Sequence, residues 1–283
     1  MTKTPQYPTL IIPGSSGRLG RLLRGAYCAM PAPKGMCIFG ARDGTADLVI
    51  DADDVPGRLP AADAVVALWG VTAGTAQDLE RNTDLVQASV DVARAAGATR
   101  VFHMSSAAIY GPGAELSEAS LPAPANAYGH AKLAAEQAVA QLKDETMAHC
   151  CLRLANVVGA DSLAPALRAG PDTPMTLTRF SDGQGPQRSY VAPGHLLGIL
   201  FALSALPRAH LPRVLNIAAS APISMQALGD AVSKSIQWKP ETPQDRQVVT
   251  LSTSQLAGLL PGLALHKTAK QMIADWTEAD TQA

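Results

Sequence analysis

Between Thr9 and Ser106 the chain alternates short apolar runs with helix-like segments, and this alternation restricts the folds open to it more than any other feature. "TLIIPG" from Thr9, "GMCIFGAR" from Gly35, "ADLVID" from Ala46, "DAVVALWG" from Asp63 and "TRVFHMSS" from Thr99 read as strands. Each is a continuous aliphatic run, the pattern of a strand buried on both faces. Helical patterns lie between them, "GRLGRLLRGAYCAM" after the first and "AQDLERNTDLVQASVDVARAAG" after the fourth. Strands separated by helices of this length form a parallel sheet covered on both sides, so the predicted class is doubly wound α/β. "HCCLRLANVVG" and "RVLNIAA" from Arg213 add two more strands, and "HLLGILFALSAL" from His195 reads as a buried helix.

After Gly159 the pattern loosens into a stretch rich in Pro, Gly and polar residues, and "SMQALGDAVSKSI" and "HKTAKQMIADW" read as helices of a smaller lobe. The expected division is a main domain over 1–160, with 191–217 returning to it, and a lobe over 161–190 and 218–283.

At 283 residues and 47% hydrophobic the chain can bury a substantial core. Its net charge is −1, from 23 basic and 24 acidic residues, with no basic stripe. Neither a nucleic acid nor a membrane surface is expected as partner. The apolar run near the N-terminus is too short for a signal peptide or a span, which predicts a cytoplasmic protein. Cys28, Cys37, Cys150 and Cys151 lack metal-ligand spacing and are expected as reduced core thiols. The six histidines are scattered, so no metal site is expected.

The turn after the first strand reads "PGSSGRLG", with Gly14, Gly17 and Gly20. A turn that brings backbone amides against a pyrophosphate needs residues without Cβ, and the helix start adds free N–H groups and a positive dipole end. No Lys-Ser/Thr follows the last glycine, so a nucleoside triphosphate loop does not fit. The alternative is a tight strand-to-helix turn with no ligand, but its place after the first buried strand favours a dinucleotide. At the tip of the second strand, "FGARDG" sets Gly40 and Ala41 where an acid would grip the adenosine ribose, followed by Arg42. Arg suits a 2′-phosphate, which favours NADP over NAD, although Asp43 is only one residue away.

Ser105 and Ser106 end the fifth strand, and "AYGHAK" places Tyr128 and Lys132 one helical turn apart on the next helix. The plain alternatives are strand-end capping for the serines, and a half-buried aromatic beside a solvated lysine. Their joint arrival at the sheet's carboxyl edge, with the glycine turn, favours chemistry. Removing a carbinol proton as hydride leaves the carbon needs a base, and a phenol near pKa ~10 must be helped by a nearby cation. Ser106 would orient the reacting oxygen, and Lys132 would also hold the nicotinamide ribose.

"GSSGRLG", "SSAAIYG", "AYGHAK", "RLANVVG" and "SDGQGPQRSYV" follow one another in an order that resembles the extended short-chain dehydrogenase/reductase family, also called the NAD-dependent epimerase/dehydratase family. The resemblance spans nearly the whole chain. It implies a Rossmann fold with a small, mostly C-terminal substrate-binding lobe, and an epimerase or dehydrogenase/reductase acting on a sugar or nucleotide-sugar. It implies catalytic roles for Ser106, Tyr128 and Lys132, an adenine contact for Asp51, cofactor lining by Gly70, and diphosphate contacts from Asn156 and Arg188. A homodimer is implied in the same way. Two departures stand out. Ala107 and Ala108 occupy the place of the Asp-Glu pair that dehydratases of the family carry, which speaks against a 4,6-dehydratase. The Gly159–Arg188 segment is short, which leaves room for a substrate without a nucleotide. The other class of function compatible with these residues is a non-catalytic dinucleotide-sensing regulator, which would not need the Ser–Tyr–Lys set.

Overall fold

The computed structural model describes residues 7–170 and 172–283, so the first six residues of the N-terminal run lie outside the description. Seven parallel strands form the central sheet: β1 (Thr9–Pro13), β2 (Met36–Ala41), β3 (Leu48–Val49), β4 (Ala64–Ala67), β5 (Arg100–Ser106), β6 (Ala148–Leu154) and β7 (Val214–Ile217). Their spatial order is β7-β6-β5-β4-β1-β2-β3. The aliphatic runs sort by parity onto two faces. Leu10, Ile12, Val66, Phe102, Leu152 and Ile217 share one core, while Ile11, Val65 and Val101 belong to another. The fold is the doubly wound Rossmann type expected.

Five long helices cover the sheet: α1 (Arg18–Ala29), α2 (Ala76–Ala96), α3 (Ala127–Ala140), α4 (Pro193–Ala205) and α5 (Ala269–Thr281). Helix α2 begins at a Thr75/Asp78 capping box and ends at Gly97 in the left-handed conformation, φ 64°. Helix α4 is buried along most of its length, as its continuous apolar sequence requires. Among the described residues no helix is long and apolar enough to cross a membrane.

The lobe has its own four-stranded sheet of Ile223–Ser224, Gln187–Arg188, Val248–Leu251 and Gly113–Leu116, and a parallel pair of Met175–Arg179 with Ile236–Pro240. Two segments cross the division expected from sequence. Gly113–Leu116, placed in the main domain, pairs with the lobe strand Val248–Leu251. Helix α5, placed in the lobe, packs along α1 and α4 of the main domain. The helix expected over "SMQALGDAVSKSI" stops at Ala231, and Ile236 opens a strand instead. All four cysteines are free thiols, but Cys28 is exposed and not in the core, because it lies on the outer side of α1.

Candidate active site

The strand order reverses between β1 and β4, and at such a point the loops leaving the carboxyl ends part to form a crevice. Most of the residues singled out from the sequence come to this edge. Gly14 turns at φ 81° directly after β1, and a Cβ there would collide with the Trp69 backbone beyond β4. Gly20 has the same constraint against the Ser15 backbone. Ser15 ties the turn to β2, its amide and hydroxyl donating to the Gly40 carbonyl at 3.0 and 2.9 Å. Gly17 differs from the other two. It caps α1, is exposed, and a Cβ there would approach nothing nearer than the Gly14 carbonyl at 3.4 Å. Two glycines are therefore needed by the turn itself, while the third leaves an open approach at a helix N-terminus, which fits a pyrophosphate.

At the end of β2, Arg42 is exposed. Asp43 is turned away from the role of a ribose acid, its carboxylate accepting from the Thr45 amide at 3.2 Å and hydroxyl at 2.6 Å. Those bonds hold the Asp43 carboxyl below its usual range. Asp51 accepts from the Asp53 amide at 3.1 Å in the turn beyond β3.

Ser106 ends β5, and its hydroxyl oxygen accepts from the Ala108 amide at 3.2 Å, which leaves its own proton to donate. Tyr128 and Lys132 occupy the first two turns of α3, which Asn126 caps by accepting from the Gly129 amide at 2.8 Å. Burial pushes the Tyr128 phenol above its ordinary value, and the neighbouring Ser106 hydroxyl pulls it partly back. Lys132 is 7% exposed and donates to the Met104 carbonyl at 3.0 Å, with Nζ 5.9 Å from the Tyr128 ring centre. Burial lowers its pKa to about 8. Desolvation of the phenolate is the dominant influence on Tyr128, opposite in direction to the lowering expected from a nearby cation. A Cβ on Gly70 would lie 3.1 Å from both Lys132 Nζ and Asn82 Oδ1, so the loop after β4 rests directly on the lysine.

The two residues implied in diphosphate binding are placed less directly. Asn156 follows β6 and its amide donates to the Ser189 carbonyl at 3.2 Å, which brings it beside Arg188. The Arg188 guanidinium donates to the carbonyls of Gln187, Gln247 and Arg246 at 2.7, 2.9 and 2.7 Å, so much of its hydrogen-bonding capacity serves the lobe sheet.

The sequence reading passed over several polar residues packed beneath the site. Asn82 on α2 holds Val71 by both its amide and carbonyl, at 3.2 and 3.0 Å. Glu136, one turn beyond Lys132, forms a buried pair with Arg153 of β6 at 2.7 Å. An arginine inside the apolar strand "HCCLRL" is the signal that was available. Among the described residues no cluster of metal-ligating side chains exists.

Among curated proteins none matches this chain in sequence. Several solved structures share its fold. A UDP-glucuronic acid 4-epimerase from Bacillus cereus, in complex with a fluorinated UDP-sugar and NAD, is 16% identical over 97% of this chain and 100% of its own, with a TM-score of 0.74. A UDP-glucose 4-epimerase from Stenotrophomonas maltophila with bound NAD is 18% identical over 97% and 98%, TM-score 0.74. An NAD-dependent NDP-hexosamine 5,6-dehydratase of tunicamycin biosynthesis is 18% identical over 97% and 98%, TM-score 0.73. At these identities the likeness establishes the fold alone. The sequence model described as the NAD dependent epimerase/dehydratase family matches residues 52–197, more than half of the chain and the span that holds Ser106, Tyr128, Lys132, Asn156 and Arg188. On that match, the chain belongs to the NAD dependent epimerase/dehydratase family.

Proposed function

We infer that the protein is an NAD(P)-dependent epimerase or oxidoreductase acting at a carbinol carbon of a sugar or nucleotide-sugar. The observation that carries this reading is the convergence of Ser106, Tyr128 and Lys132 on the carboxyl edge, with Gly70 against the lysine and an open glycine turn at the same edge. When bound, the nicotinamide supplies the hydride chemistry, which no side chain can perform. Gly17 and the free amides opening α1 would hold the pyrophosphate, and Lys132 would reach the nicotinamide ribose.

Ser106 donates its free proton to the reacting oxygen and fixes its position. Tyr128 exchanges the proton of that oxygen as general base and acid. Lys132, whose pKa of about 8 leaves it mostly protonated at neutral pH, supplies the positive charge that favours phenolate once substrate and cofactor exclude water. Ala107 and Ala108 follow Ser106 in a 3-10 turn, so neither position offers a carboxyl group to eliminate water, which counts against 4,6-dehydration.

Arg42 supports NADP(H) as the preferred dinucleotide, because it is exposed at the ribose end while Asp43 is occupied by Thr45. The test is a titration of the purified protein with NADPH and NADH, followed by nicotinamide fluorescence. Tighter NADPH binding that Arg42→Ala weakens selectively supports the 2′-phosphate role, and a preference for NADH removes it. If neither dinucleotide binds, the proposed activity is wrong.

A further inference from the structure

Ser105, Arg153 and Asn216 stand side by side on β5, β6 and β7, since Ser105 pairs with Arg153 and Arg153 with Asn216 in register. All three are buried polar residues, each the penultimate residue of its strand at the carboxyl end. Helix α3 delivers Glu136 to this row, and the turn after β5 delivers Tyr110. Glu136 Oε1 accepts from the Ser105 hydroxyl at 2.5 Å and Arg153 Nε at 3.0 Å, and its Oε2 accepts from Arg153 Nη2 at 2.7 Å. Arg153 Nη1 donates to the Tyr110 hydroxyl at 2.7 Å, which in turn donates to Asn216 Oδ1 at 2.8 Å. Asn216 Nδ2 then donates to the carbonyls of Leu116 and Ser252 at 2.9 and 3.1 Å, and its amide donates to Glu118 at 2.8 Å. Leu116 ends one lobe strand, and Ser252 follows another.

Every proton in this chain has one direction, set by an arginine that only donates and a carboxylate that only accepts. Tyr110 stays a neutral donor because burial holds its phenol above the usual range. Tyr128, Lys132 and Glu136 are spaced four apart, on one face of α3. Holding Glu136 therefore fixes the rotation and the axial position of the helix that presents the tyrosine and lysine. At the other end, holding Asn216 ties down two segments of the lobe, at Leu116–Glu118 and at Ser252.

We propose that Ser105, Glu136, Arg153, Tyr110 and Asn216 form a positioning linkage that couples the Tyr128–Lys132 helix to the substrate lobe, so that the two halves of the site move as one body. The inference builds on the proposed function for its catalytic consequence, but the linkage itself is mechanical and can be measured without turnover. A bidentate arginine–carboxylate pair in a dry interior has a narrow range of allowed geometry, which suits it to registry.

The test is hydrogen exchange on the full chain, comparing the natural sequence with Tyr110→Phe and Glu136→Gln. Tyr110→Phe leaves the Glu136–Arg153 ion pair intact and removes the two hydroxyl bonds, from Arg153 Nη1 and to Asn216 Oδ1, that join the pair to Asn216. It should speed amide exchange at least about tenfold over 113–118 and 248–252 and leave 127–140 unchanged. Glu136→Gln should speed exchange in both regions. In turnover assays the first variant should raise KM with kcat retained, and the second should lower kcat as well. If Tyr110→Phe leaves lobe exchange as it was, or Glu136→Gln perturbs only its own helix, the linkage does not transmit and the proposal is wrong. Should Glu136→Gln fail to fold, Tyr110→Phe decides alone. A parent protein with no turnover on any carbinol would defeat the proposed function, while the exchange result would still decide the linkage.

Discussion

Tyr128 and Lys132 show how burial sets the chemistry of single residues. Burial holds the phenol above its ordinary value, so its ionisation needs added positive charge close by. Tyr128→Phe should cut turnover by about 10²–10⁴-fold while leaving dinucleotide affinity within a few-fold, as measured by fluorescence titration. Lys132 keeps its proton only to about pH 8 in the fold, against an ordinary value of 10.5 in the unfolded chain. Between those values the unfolded chain binds more protons, so stability rises with pH across that window, and below about 8 the burial penalty is present in full. The stability of the natural sequence relative to Lys132→Met should therefore climb from pH 8 to 10.5 and stay flat between pH 6 and 7, a difference that denaturant titrations at ~0.5-unit intervals would resolve.

At the scale of elements, the start of α3 and the glycine turn set the crevice. Asn126→Ala removes the acceptor for the Gly129 amide in the turn that carries Tyr128. It should cost about 1 kcal/mol in denaturant unfolding and lower kcat more than it raises KM. The turn after β1 separates two kinds of glycine. Gly14→Ala and Gly20→Ala should each destabilise by about 1–3 kcal/mol, the first through its positive φ and contact with Trp69, the second through the Ser15 backbone. Gly17→Ala should fold normally and lose dinucleotide affinity, because its nearest neighbour would be the Gly14 carbonyl at 3.4 Å. Thermal unfolding beside a cofactor titration distinguishes the two kinds, and equal melting temperatures for all three variants would refute this assignment.

Across the whole molecule, pH couples to stability through histidines buried without charge. Burial lowers His103 to about 3 and His195 to about 4, against 6.5 in the unfolded chain. Below 6.5 the unfolded chain takes up protons that the fold refuses, so stability falls as pH drops through that window. Each histidine contributes about 1.4 kcal/mol per pH unit while it stays neutral in the fold. His103→Gln should flatten the acid side of the stability curve between pH 6 and 4, and unchanged slopes would show that the imidazole is protonated in place.

How much of this was legible in the sequence differs from element to element. The aliphatic runs of β1, β4 and β5 could bury both faces only in a covered parallel sheet, and a glycine turn before a helix is a local feature, so both were readable. So was the Tyr128–Lys132 spacing, because a helix turns by a fixed angle per residue. Gly113–Leu116 was not, since four residues with no strong pattern take their place only from the lobe strand they pair with. Helix α5 was readable as a helix, but its amphipathic face could not say which domain it covers. Arg153 and Glu136 were visible as charges in apolar surroundings, yet only the register of β5, β6 and β7 shows that they complete one another. The sequence by itself determined the elements, their order and the residues able to do chemistry, because periodicity and turn geometry act over a few residues. Only the tertiary structure decided which polar groups lie together and which way each proton points, because burial and strand register join residues more than a hundred positions apart in the chain.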